Sequence, residues 1–167
     1  MKKLLVLVVL LGVIQTADAQ EKNIIKTNPI GLAFGNFNIA YERAVSDASS
    51  LQFGGNFFFK LFGTDVSGFG LNAAYRYYVT HNSRVNPEGF FVGPRLAFNT
   101  FTESSSDASV STMGIGGLIG YQWVFDINLT LDLGAGPTYL FVVTDAGATE
   151  TFDGFVPNLI LAIGYNF

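Results

Sequence analysis

Cysteine is absent from the 167 residues, histidine occurs once, and charged residues make up only 13 %. Each shortage excludes something. Without cysteine there is no disulfide framework, and without paired histidines or cysteines there is no recognisable metal site. No cofactor motif is present. The one histidine, His81, lies in a predicted turn, apart from any serine and carboxylate that could complete a nucleophilic triad. No catalytic residue is therefore assigned. Charge falls well below the roughly 25 % of an ordinary soluble protein. The net charge of −4 argues against nucleic acid as a partner. Long apolar runs are missing too. The run Leu4–Ile14 spans 11 residues, too few for a membrane-crossing helix.

What the chain has instead is an export pattern and many aromatics. "MKKLLVLVVLLGVIQTADAQ" carries two lysines, the short apolar run and Ala17-Asp18-Ala19, a small-x-small cleavage site. Residues 1–19 are expected to be a signal peptide and residues 20–167 a single mature domain, with Gln20 at its N-terminus. No Cys follows the cut, so a lipid anchor is not expected. The mature part holds twelve acids and seven bases, a net charge of −5. Aromatics reach 15 % of the chain, with 17 phenylalanines. An exported chain, poor in charge and rich in aromatics, with no apolar helix, fits a membrane β-barrel.

Eight alternating segments follow, separated by turn-like patches. They are "NIIKTNPIGLAF", "NFNIAYERAV", "SLQFGGNFFFKLF", "GFGLNAAYRYYVT", "GFFVGPRLAFNTF", "SVSTMGIGGLIGYQWVF", "NLTLDLGAGPTYLFVV" and "FVPNLILAIGYNF". Most have one bulky face and one small or polar face. In the fourth, Phe69, Leu71, Tyr75 and Tyr77 oppose Gly70, Asn72, Ala74 and Arg76. The period alone leaves the orientation open, because a secreted lipocalin-like barrel would bury the bulky face. Composition decides. The other face is mostly Gly, Ala, Asn and Thr, which suits a cramped lumen better than a water-facing surface. "MGIGGLIG" does not match a phosphate loop and lies inside a segment. Aromatics near the segment ends form two expected interfacial girdles.

The last segment places Leu159, Leu161, Ile163, Tyr165 and Phe167 at alternate positions and ends on the aromatic. This pattern resembles the C-terminal signal of bacterial outer-membrane barrels, which implies recognition by the barrel-assembly machinery. The mature chain as a whole resembles small eight-stranded barrels of the OmpA/OmpX type. Its opening, "NIIKTNPIGLAFGNFNIAYERAV" after Gln20, is similar to outer-membrane barrels of Bacteroidota. The resemblance implies an all-β, eight-stranded antiparallel up-and-down transmembrane barrel in the outer membrane, in contact with its lipids and lipopolysaccharide. It implies no specific activity.

With both ends periplasmic, "GN", "GTDVSG", "TESSSDAS" and "TDAGATETFDG" become outer connections, while "SDAS", "HNSRVNPE" and "DI" become periplasmic turns. The longer outer loops carry Asp65, Glu103, Asp107, Asp145, Glu150 and Asp153 without a base. They are expected to be solvated charge, with divalent cations shared with lipopolysaccharide as the alternative. Lys22, Lys26, Arg43 and Arg84 are assigned to the periplasmic side, outside the wall. Glu42, Arg76, Arg95 and Asp132 share the inward parity and are expected to meet in one lumen layer as two balanced ion pairs. Gln52, Asn56, Lys60, Asn72, Gln122 and Asn158 add polar lining. The expected function is a non-enzymatic barrel with a plugged lumen, serving envelope structure or surface interaction. The alternatives are a lipid-A-modifying enzyme, a soluble lipocalin-like barrel and a narrow channel.

Overall fold

The computed structural model describes residues 23–59, 66–80, 87–103, 109–146 and 153–167. The expected leader, Met1–Ala19, lies outside the described residues, as do Lys22, Lys60, Asp65, His81, Arg84, Asp107 and Glu150 and the side chains of Glu103 and Asp145.

Eight strands run up and down in chain order: β1 Asn23–Thr27, β2 Asn36–Ser46, β3 Ser49–Phe58, β4 Val66–Tyr78, β5 Gly89–Glu103, β6 Ser109–Val124, β7 Leu129–Ala146 and β8 Gly154–Asn166. Every neighbouring pair is antiparallel, and β1 pairs with β8 to close the barrel. Closure leaves the last residue tied down: Phe167 and Asn23 exchange both backbone hydrogen bonds, at 2.9 and 3.3 Å.

Parity places the side chains as their chemistry demands. Phe53, Phe69, Leu71, Leu96, Ile115, Ile119 and Ile163 point outward and are exposed. Lys26, Glu42, Arg76, Gln122 and Asp132 point inward and are buried. That orientation is the reverse of a lipocalin-like barrel, which hides its apolar side chains from water. The inner face is not uniformly small, however. Tyr78, Phe91 and Leu118 form an apolar cluster inside it with Ala74, against which Ile160 packs. Gly120 makes room for this: a Cβ there would stand 2.5 Å from the Phe91 ring and 2.3 Å from the Leu133 carbonyl.

One element departs from expectation. The first strand does not run to Phe34; it stops at Thr27, and the short helix α1, Pro29–Ala33, follows. The cause is local. The Asn28 side chain caps the helix, accepting from the N–H groups of Ile30 and Gly31 at 3.0 and 3.1 Å. Pro29 stands at N1, where its missing N–H costs nothing. The connection between β1 and β2 is therefore residues 28–35, not the dipeptide "GN".

The described turns at the end of the barrel that holds the chain termini are tight. Between β6 and β7, the Asn128 N–H donates to the Phe125 carbonyl at 3.1 Å, and Asn128 adopts φ 60°. This is a type I turn closed by a left-handed residue, a common three-residue hairpin loop.

Candidate functional site: an ionic plug and an open cup

The lumen divides into two levels. The lower level, nearer the chain ends, is filled by charge. Arg76 Nη1 reaches Asp132 Oδ2 at 2.6 Å and Glu42 Oε2 at 3.5 Å. Lys26 Nζ lies 2.8 Å from Asp132 Oδ2 and in close contact with Glu42 Oε2. The Lys26–Glu42 approach is a charge contact rather than an aligned hydrogen bond, since Glu42 Oε2 has no hydrogen-bond donor among the described residues. All four side chains are at most 1 % exposed.

Burying an ion costs several kcal/mol unless partners and hydrogen bonds offset it. Here neutral groups supply part of the shell, while Arg76 Nε and Nη2, Glu42 Oε2 and Asp132 Oδ1 have no hydrogen-bond partner among the described residues. The hydroxyls of Tyr78, at 2.6 Å, and Ser50 donate to Glu42 Oε1. Gln122 Oε1 accepts from Lys26 and, at 3.4 Å, from Arg76, while its amide nitrogen donates to the Pro87 carbonyl. The Arg76 guanidinium stands 4.3 Å from the centre of the Phe91 ring, a cation–π contact that covers its face.

Of the four residues expected to meet, the structure brings together Glu42, Arg76 and Asp132 but not Arg95. Depth counted from the turns misplaced it. In the register, Arg95 sits opposite Ala74, one inward position above Arg76 on the same neighbouring strand. Among the described residues it makes no ion pair. Lys26 takes its place. That residue was assigned outside the wall, and the structure corrects this. Lys26 pairs with Ala40 on β2 and Gly164 on β8, both of inward parity. The signal was weak because inward Ile24 and outward Ile25 are equally bulky, so β1 shows no alternation of its own. Tyr78 was also missed, although it shares parity with Arg76.

Above the plug lies a cavity of about 240 Å³. Its polar wall includes Asn56, Asn72, Asn99, Asn158, Gln52 and Arg95. The sequence grouped several of these as lining but gave no reason to expect an open space.

Leu159, Leu161, Ile163, Tyr165 and Phe167 all take outward positions along β8, and Leu159 is 77 % exposed. Among the described residues no cluster of His, Cys, Asp and Glu could hold a metal ion.

These features define a closed eight-stranded antiparallel barrel, apolar outside and ion-paired within. The chain belongs to the family described as "Protein of unknown function (DUF3575)", which matches residues 4–153. No curated protein matches the sequence. Among solved structures the chain is similar to Neisserial surface protein A: 17 % identity, 87 % of this chain and 94 % of that one covered, with a TM-score of 0.53. At that identity the likeness is one of fold.

Proposed function

We propose that this protein is an integral outer-membrane barrel without enzymatic activity, serving envelope structure or contact with the surroundings. The observation that carries the reading is the contrast between faces: large apolar side chains are exposed on all eight strands while ions are buried at the axis. In water that arrangement is unfavourable on both counts. In a bilayer it satisfies both, because acyl chains cover the outside and only a closed barrel meets its backbone hydrogen bonds internally. The fold likeness to a surface protein supports it. So does the resemblance of the chain to small OmpA/OmpX-type and Bacteroidota barrels.

Residues 1–19 act as a cleaved export signal in this reading, and the Leu159-to-Phe167 series is offered to the barrel-assembly machinery. The outer rim then meets lipopolysaccharide. The absence of catalysis is argued from the plug. Glu42 and Asp132 are each held by both Lys26 and Arg76, and Glu42 also accepts from Tyr78 and Ser50, which argues against either as a free acid or base. The filled lower level argues equally against a channel.

The test is fractionation with gel migration. The protein should sediment with outer membranes, need detergent for extraction and migrate differently before and after boiling. Recovery as a dispersed monomer without detergent would sink the reading. Steady conductance in planar bilayers would remove the plug.

A further inference from the structure

We propose that the upper cup is a binding site for an acidic membrane lipid, entered sideways through an opening in the barrel wall between β2 and β8. This rests on the membrane reading above. A membrane-crossing strand needs about 9–11 residues, and β1 has five. It pairs with β8 only over Ile163–Asn166 and with β2 only over Ala40–Arg43. Above that point, Gly154–Ala162 of β8 pair with β7 alone and Asn36–Ile39 of β2 pair with β3 alone. Helix α1 fills part of the space and lies mainly against β2. The lower corner is finished by Thr27, whose hydroxyl donates to the Asn38 carbonyl at 2.7 Å, and by Asn28, whose N–H donates to Asn38 Oδ1 at 3.0 Å.

The cavities show that the opening connects the two faces. The cup is lined by inward Asn72 and Arg95 and also by Ile39, Leu159 and Leu161, which belong to the outward parity. A second, apolar groove of about 430 Å³ runs outside it, along Ile25, Phe37, Leu129, Ile163 and Tyr165. The two share Lys26, Asn38 and Ile39. A polar chamber thus opens into an apolar groove at the end of β1.

The chemistry selects the occupant. The plug is balanced, and Arg95 makes no ion pair among the described residues. Asn158 Nδ2, at the same cup, is buried with no acceptor among the described residues, and Asn36 Oδ1, Gln52 Oε1 and Asp132 Oδ1, of residues that line it too, are buried acceptors with no donor. Arg95 and Asn158 donate and suit a phosphate, while the acceptors suit the hydroxyls of a glycerol headgroup. The cup is smaller than the roughly 300–1,000 Å³ of sites that enclose a whole drug-sized ligand. It takes a headgroup, and the chain must lie in the groove outside. The unpaired strand edges are tolerable at membrane depth because they border a polar cavity rather than lipid.

Native mass spectrometry from detergent micelles tests this, with phosphatidylglycerol and phosphatidylcholine of equal chain length as probes. Wild type should retain phosphatidylglycerol about tenfold better than phosphatidylcholine, the scale of one charge-assisted contact. Arg95→Gln should abolish that preference, and Ala162→Phe, which fills the cup without changing charge, should lower retention of phosphatidylglycerol to the same level. Undiminished retention by both variants would overturn the site. Displacement by millimolar inorganic phosphate would assign the cup to a soluble anion and overturn it too. If the protein needs detergent and shows heat-modifiable migration yet keeps no lipid, the lipid site alone fails. If it needs no detergent, the membrane reading fails first.

Discussion

The two levels of the lumen use the same kinds of residue to opposite ends. Below, Lys26 and Arg76 face Glu42 and Asp132, every ion has two opposite partners, and Tyr78, Ser50 and Gln122 add hydrogen bonds to them. Above, Arg95 makes no ion pair among the described residues, and asparagines line space instead of filling it. The wall differs in parallel. Around the plug it is complete, because β1 seals β8 to β2; around the cup β1 is missing. A barrel of this strand number is just filled by its side chains, so a void within it needs a cause. Here the cause is the early end of β1, fixed by the Asn28 cap and Pro29.

The sharpest break in the comparison comes from the plug. Arg76→Leu leaves two buried carboxylates sharing Lys26, and an uncompensated buried charge costs on the order of 3–5 kcal/mol. The variant should unfold at clearly lower urea concentration, monitored by the loss of heat-modifiable migration. Unfolding at the wild-type midpoint would mean that the ion pairs hold nothing together. The wall comes next. Leu96 is exposed in mid-strand, one residue from inward Arg95. Leu96→Arg moves a guanidinium to the outer face, where the proposed membrane placement predicts a cost of roughly 2–4 kcal/mol. An unchanged midpoint in lipid bilayers would place that face in water.

The barrel was legible because alternation over long strands is a strong signal. Phe69 to Tyr77 in β4 and Leu159 to Phe167 in β8 each fix a face without help from neighbours. Where alternation fails, so does the sequence. Ile24 and Ile25 hide which way Lys26 points, and only pairing with β2 reveals it. "TNPIGLAF" carries a bulky-small pattern that looks like strand, yet its Asn-Pro pair is a helix start. Depth was the other loss. Strands in a barrel are staggered, so equal distances from turns are not equal heights, and Arg95 fell one layer from where counting put it.

The helix cap allows a smaller test. Asn28→Ala removes the acceptor for two helix N–H groups, a loss of about 1 kcal/mol. If α1 defines the upper rim, the unfolding midpoint should fall slightly while the plug stays intact, visible as unchanged burial of Tyr78 in solvent-quenching measurements. A fall as large as that of Arg76→Leu would mean that the rim and the plug unfold as one unit, and the division drawn here would not hold.

The smallest effect is the most discriminating. Arg95→Leu removes a guanidinium that makes no ion pair among the described residues. Substitutions away from buried networks usually stay within about 0.5 kcal/mol, and this one should as well, with the unfolding midpoint unmoved or slightly raised. The same chemical change one inward layer apart would then differ by several kcal/mol, because one arginine holds two acids and the other makes no ion pair among the described residues. Should Arg95→Leu destabilise as strongly as Arg76→Leu, Arg95 belongs to the plug, and the cup has no free charge to offer.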